Sequence, residues 1–464
     1  MRSRLRFRRP ASASALGVVV GVVAGIAVAT WSTAFAGPST VQAPAIFDVT
    51  HLPPLLTVAG EPIDLAYDVH CAPSDLENAD AGCDARGTVS VRELGDTGPF
   101  QALPLETRAR DGSRQLAVAV PEALGPRTRG IEYYAMLEAP ALGRRLTLPA
   151  GGVAAPHVSR PLQRSVTVDL GHHAFGSKPR GGARIAFASW GDRSGQAGLE
   201  QGRSIGPIGA SAFDVDRRGN IFLLDQVHRR LLRWDESSTA ATQVPVSVDG
   251  TLADMAVAED GSLFVLETAA ASGRNPVVRR FDDGGRELEA VETAERTASQ
   301  IRVDVRGPVI LSRPSHHWMP VFVDGVPATR TEQLERGRPS RRFDGGRDVL
   351  VFRHADETRL ALVTGGSVTR SWRVTSGTPL AEVQLAEPWG QRVVVVLRVY
   401  EDAMDEFVVL VLDRNGLAER FVVDSAEWAE ASALGRFRLV GSSLYRLGSS
   451  PAGAFIDRFD LEVR

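Results

Sequence analysis

Six times between Ala212 and Leu447 the chain sets an apolar strand, a glycine turn and a second apolar strand in a row. The glycines are Gly219, Gly261, Gly307, Gly345, Gly390 and Gly441. Successive glycines lie 42, 46, 38, 45 and 51 residues apart, close to the roughly 40 to 50 residues that one four-stranded blade uses. The first two copies align without a gap, from Phe213 through Asp225 onto Met255 through Glu267. After the turn, Ile221 and Leu223 face one way while Phe222 and Leu224 face the other. A strand apolar on both faces belongs between two neighbouring sheets. The expected fold class is therefore all-β, a six-bladed β-propeller over residues 207–464.

The stretch Gly219-Asn-Ile-Phe-Leu-Leu-Asp225, followed by Gln226-Val-His228-Arg229-Arg230 and Leu231-Leu-Arg-Trp234, resembles the repeat of the NHL family and, more loosely, the regucalcin and gluconolactonase propellers. That repeat reads glycine, apolar strand, aspartate, a short turn ending Asn-x-Arg, then another apolar strand; here His228 stands where Asn is usual. The resemblance covers one repeat well. The second copy keeps an acid at Glu267 but inserts Thr268 to Asn275, and the later copies lose both acid and arginine. What it implies is six blades used mostly for binding, with metal-dependent lyases and hydrolases among the relatives.

At the other end, Arg2, Arg4, Arg6, Arg8 and Arg9 precede an uncharged run from Pro10 to Ala36. This reads as an export signal over 1–36, with Ala34 and Ala36 as the small residues of a cleavage site. An uncleaved membrane anchor is the alternative. A periplasmic, cell-surface or secreted location is expected. Removing 1–36 takes five arginines and no acids, moving the formal net charge from −3 to −8. An acidic chain without a basic cluster gains little from counterion release, which argues against a nucleic-acid partner.

After a linker at 37–43, residues 44–148 carry their own alternation, in Ile63 to Val69, Gly87 to Arg92, Gln115 to Val120, Ile131 to Leu137 and Arg145 to Leu148. Turn residues separate these stretches, so the expectation is a β-sandwich of the immunoglobulin or fibronectin III type. Cys71 and Cys83 flank a polar loop in it, and two cysteines in an exported chain read as a disulfide. The acids Asp75, Glu77, Asp80 and Asp84 lack EF-hand order and read as a solvated loop. Residues 149–206 form a glycine- and proline-rich linker that should supply a strand to close the last blade, either Val166 to Leu170 or Ile185 to Trp190. Its run from Gly171 to Gly182, with Lys178, lacks the spacing of a phosphate loop.

Chemistry is harder to find. The sequence has no His-Glu-x-x-His and no Gly-x-Ser-x-Gly. Propeller loops converge from different blades, so His228, His316 and His354 are the candidate ligands for a zinc or calcium ion at the axis, the one cofactor considered. Asp214, Asp216, Asp225 and Glu267 recur at strand ends, where accepting turn amides or pairing with Arg229 and Arg230 suffices. The expected function is an exported, non-enzymatic binding protein with a protein or carbohydrate partner in the envelope or outside the cell. The alternative is a lactonase-like hydrolase or lyase with a metal at the axis.

Overall fold

The computed structural model describes residues 46–462 with gaps, the widest at 73–83, 122–129, 269–274, 329–337 and 340–346. Residues 1–36, for which an export signal is expected, and Cys83, Gly345, His316 and His354 fall outside the described residues. Almost all the rest is strand and turn, arranged in a ring of six sheets, a separate pair, and a two-stranded ribbon of Phe322–Val323 with Val326–Pro327.

Blade 1 shows how the repeat works. Its inner strand, Ala212–Val215, turns at Gly219 into Ile221–Asp225, and Arg230–Trp234 and Thr242–Pro245 complete an antiparallel sheet. Gly219 has φ of 82° and its counterpart Gly261 83°, a region where a side chain is strained. Blade 2 repeats the plan in Thr251–Val257, Leu263–Thr268, Val277–Phe281 and Glu287–Glu292. The two are in register: Phe213 pairs with Leu223, and the aligned Met255 with Val265.

Blade 3 holds Ala298–Asp304, Gly307–Ser312 and Trp318–Pro320; blade 4 holds Arg338–Pro339, Arg347–Arg353, Glu357–Thr364 and Ser367–Thr375. Blade 5 consists of Leu380–Trp389, Arg392–Glu401, Met404–Asp413 and Gly416–Asp424. Blade 6 has Phe437–Val440, Ser443–Ser450 and Gly453–Asp460 from the end of the chain, closed by Ala183–Ser189 from before blade 1.

Two-sided burial builds the ring. In Ile221–Asp225, Ile221 and Leu223 enter the core shared with blade 6, whereas Phe222 and Leu224 enter the core shared with blade 2. Blade 5 does the same: Val393, Val395 and Leu397 pack toward blade 4, and Val394 and Val396 toward blade 6. Each fully buried side chain of this size contributes roughly 1.5–3 kcal/mol before conformational entropy is charged.

Both stretches proposed for closure are used, one on each of two blades. Ser165–Asp169 lies parallel to Ser367–Thr375 as a fifth strand of blade 4. The chain then crosses the outer strand of blade 5, where the Arg180 amide donates to the Val422 carbonyl at 2.9 Å, before Ala183–Ser189 closes blade 6. His173 is buried in this strap, its Nε2 2.6 Å from Glu406 Oε2, and the Gly176 amide donates to Glu406 Oε1 at 2.9 Å. The segment read as a linker thus straps three consecutive blades.

The remaining sheets enclose one core. One has the order Ile46–His51, Ile63–Ala72, Ser113–Val120, Glu106–Arg110; the other runs Leu56–Val58, His157–Leu162, Ile131–Ala139, Arg86–Glu93, Gln101–Pro104, with Arg144–Leu148 also on Ile131–Ala139. Leu65, Tyr67, Val89, Val91, Leu116, Ile131 and Tyr133 fill the space between them. His157–Leu162 comes from beyond Leu148, inside the expected linker. It escaped sequence reading because Ser159, Arg160 and Pro161 break the alternation, and its parallel pairing with Leu56–Val58 includes Pro161 itself.

Candidate functional site

The inner strands carry charges to the middle of the ring. Asp214 comes from blade 1, Asp254 from blade 2, Arg302 from blade 3, Glu387 from blade 5 and Arg438 from blade 6; all are buried. Arg438 Nη2 donates to Asp254 Oδ1 at 2.7 Å, and Arg302 Nη1 donates to Asp254 Oδ2 at 2.8 Å. The Ile301 amide adds a third bond to Asp254 at 2.9 Å. Arg438 Nε lies 3.5 Å from Asp214 Oδ1, and the Val257 amide donates to Asp214 Oδ2 at 2.9 Å. Arg302 Nε is 3.8 Å from Glu387 Oε1. A network joining blades 6, 1, 2, 3 and 5 can meet only at the axis, so carboxylates that an axial metal would need are engaged by guanidinium groups and amides. Asp214 is correspondingly an axial residue, in place of the turn acceptor expected from its position in the repeat.

The other repeat acids behave as expected. Asp216 accepts the amides of Arg218 and Asn220, both at 2.8 Å, and Glu267 pairs with Arg279 at 2.6 Å. Asp225 pairs with Arg230 at 2.9 Å, whereas Arg229 donates to the Val248 carbonyl. His228 sits in the turn after Ile221–Asp225 with Nδ1 2.8 Å from Asp225 Oδ2 and Nε2 3.0 Å from Asp192 Oδ1. It ties the blade 1 turn to the segment following the closing strand. In sequence, His316 and His354 fall between the second and third strands of blades 3 and 4, the position His228 holds in blade 1, and both lie outside the described residues. Among the described residues, no three His, Cys, Asp or Glu side chains converge as a metal set.

A recess that carries no sequence motif lies where blade 6 meets the start of blade 1. Trp190, Gly209, Ala210, Glu427, Ala429, Leu447, Gly448, Ser449 and Ala454 surround a small recess of about 10 Å³, room for about one water molecule. Trp190 Nε1 donates to the Ser450 carbonyl at 2.8 Å, which fixes the indole. Gly209 admits that ring, since an added Cβ would stand 2.8 Å from Trp190 Cη2. Ser449 Oγ accepts the amides of Trp428 and Ala429 at 3.0 and 2.9 Å and so sets the segment carrying Glu427. The Trp190 and Trp428 rings lie 6.0 Å apart.

The Glu427 side chain is only 10% exposed, with Arg436 Nη2 2.7 Å from Oε2. The N–H does not line up, and neither carboxylate oxygen accepts a hydrogen bond among the described residues. Burial pushes the carboxyl up to about 7, outweighing the opposing pull of Arg436, Arg446 and Arg398. Burial likewise holds the Arg436 and Arg446 guanidinium groups below their ordinary range. The local sequence Asp424-Ser-Ala-Glu427-Trp428 gives no sign of this, because the enclosure comes from residues more than 200 positions upstream as well as from blade 6.

No family model matches the chain and no curated protein matches its sequence. Solved structures it is similar to include a Bacteroides fragilis protein provisionally described as exported (8% identity, TM-score 0.38, covering 64% of this chain and 100% of that one). Virginiamycin B lyase from Staphylococcus aureus overlaps at 10% identity and a TM-score of 0.31, covering 55% and 95%. The PQQ-bound aldose sugar dehydrogenase of Streptomyces coelicolor overlaps at 12% and 0.33, covering 61% and 98%. At overlaps this low, no activity, ligand or partner carries over to this chain.

Proposed function

We propose that this is an exported β-propeller binding protein, without enzymatic activity of its own, that engages a protein or carbohydrate partner in the envelope or outside the cell. One observation carries the reading: the axial acids Asp214 and Asp254 are taken up by Arg438, Arg302 and backbone amides. A ring whose central carboxylates Asp214 and Asp254 are already engaged by guanidinium groups and amides reads as a scaffold rather than an axial metal centre. The sandwich acts as spacer or docking unit. Its sheet orders support an immunoglobulin-like assignment, one matching ABED and the middle of the other matching GFC. A Cys71–Cys83 bridge belongs to this proposal, as does cleavage after Ala36.

The second reading, a metal-dependent hydrolase or lyase, is favoured by a single feature, the shared position of His228, His316 and His354 in their blades. Metal analysis of dialysed, mature protein separates the two. The binding reading predicts less than one-tenth of an equivalent of zinc or calcium. A stoichiometric ion that is lost on His228→Ala would establish the alternative.

A further inference from the structure

Glu427 is a buried acid whose two charge states make opposite demands on its surroundings. Its side chain is 10% exposed, and neither oxygen accepts a hydrogen bond among the described residues, although Arg436 Nη2 stands 2.7 Å from Oε2. A neutral carboxyl tolerates that setting, whereas an ionised one lacks the aligned donors that hold a buried charge. The recess beside it offers little relief. It has room for about one water molecule and is lined largely by Ala210, Ala429, Leu447 and Ala454, whereas a buried water itself needs about two to four polar partners.

The charges around the carboxyl come from blades 5 and 6 and are of both signs. Arg436, Arg446 and Arg398 favour its ionised form and Asp405 opposes it. Glu382, Asp424 and Asp457 act in turn on Arg436 and Arg446. Trp190, Gly209 and Ala210, contributed from the closing strand and the entry to blade 1, carry no charge. Burial outweighs this balance and raises the carboxyl to about 7, so both charge states are reached near neutral pH.

How the acid is held decides what responds. Trp190 is fixed by its bond to the Ser450 carbonyl, and its ring lies 6.0 Å from that of Trp428, the residue next to Glu427. The Glu427, Trp428 and Ala429 segment is kept in place by two bonds from its amides to Ser449 Oγ, at 3.0 and 2.9 Å. These are neutral hydrogen bonds, which water replaces at small cost. An ionised Glu427 therefore gains by carrying its segment outward to water, and Trp428 moves with it.

We propose that Glu427 is a pH-operated switch: its protonated form docks this segment beside the closing strand of blade 6, and loss of the proton to solvent releases the segment and separates Trp428 from Trp190. Docking is complete in acid and is lost as pH rises through about 7.

The test is tryptophan fluorescence of the full mature chain between pH 5 and pH 9. The parent should show a transition centred near pH 7 that is at least halved in Trp428→Phe and absent from Glu427→Gln, which should keep the parent's acid spectrum throughout. Arg436→Gln keeps the carboxyl but removes a charge that favours ionisation, so its midpoint should rise by about half a pH unit or more; it decides the matter should Glu427→Gln fail to fold. Hydrogen exchange of the Trp428 and Ala429 amides, corrected for the chemical rate, should rise at least tenfold between pH 5 and pH 8 in the parent. A flat parent titration, a transition that survives in folded Glu427→Gln, a midpoint unmoved or lowered in Arg436→Gln, or exchange that does not rise with pH would overturn the proposal.

Discussion

The axis and the Glu427 recess are both places where a buried acid meets arginines, and they are solved in opposite ways. Asp254 takes two guanidinium bonds and one amide bond, all between 2.7 and 2.9 Å. Glu427 has an arginine at 2.7 Å yet accepts no hydrogen bond. A buried charge whose lone pairs are filled holds blades together; one whose lone pairs lack aligned donors carries a free-energy cost that a proton can relieve. The comparison separates an acid whose donors keep it ionised from one that burial pushes toward protonation.

The largest expected effect comes from breaking the satisfied side. Arg438→Met leaves Asp254 and Asp214 short of a cation at the axis, and chemical denaturation should show a loss of about 3–5 kcal/mol. Pairing it with Asp254→Leu should recover part of that loss, because the uncompensated charge goes with it. A change confined to the sandwich should leave the axis alone. Replacing Cys71 and Cys83 by serine should cost about 2–3 kcal/mol through loop closure if the bridge is formed, and intact mass with and without reductant checks the bridge directly.

The unsatisfied side should respond with the opposite sign and a smaller size. Burial raises Glu427 to about 7, so the folded state holds this proton more tightly than the unfolded chain does. The associated stability is full in acid, below the unfolded value, and is lost as pH rises through about 7. Glu427→Gln removes the ionised form and should therefore stabilise the protein by about 1–3 kcal/mol at pH 8 while changing little near pH 5.

Much of the ring was legible because its logic is local. The pattern from Phe213 to Asp225 contains the turn, the pairing register and both buried faces within 13 residues. The strap was legible only as two candidate strands, since nothing in Val166 to Trp190 says that one would join blade 4 in parallel and the other blade 6. Arg438 was not legible at all. Within Phe437-Arg-Leu-Val440 it reads as the outward residue of an alternating strand, but in an innermost strand that direction is the axis. Glu427 was hidden for a different reason, because its environment is assembled from the closing strand, the entry to blade 1 and blade 6, which meet only in the folded ring.

The most direct test of the distinction is thermal unfolding of Arg438→Met and Glu427→Gln beside the parent at pH 5 and pH 8. The axis variant should lose stability at both pH values, and the recess variant should gain at pH 8 and match the parent at pH 5. If Glu427→Gln is destabilised at pH 8 as Arg438→Met is, the recess carboxylate is another structural ion pair and the distinction drawn here is wrong.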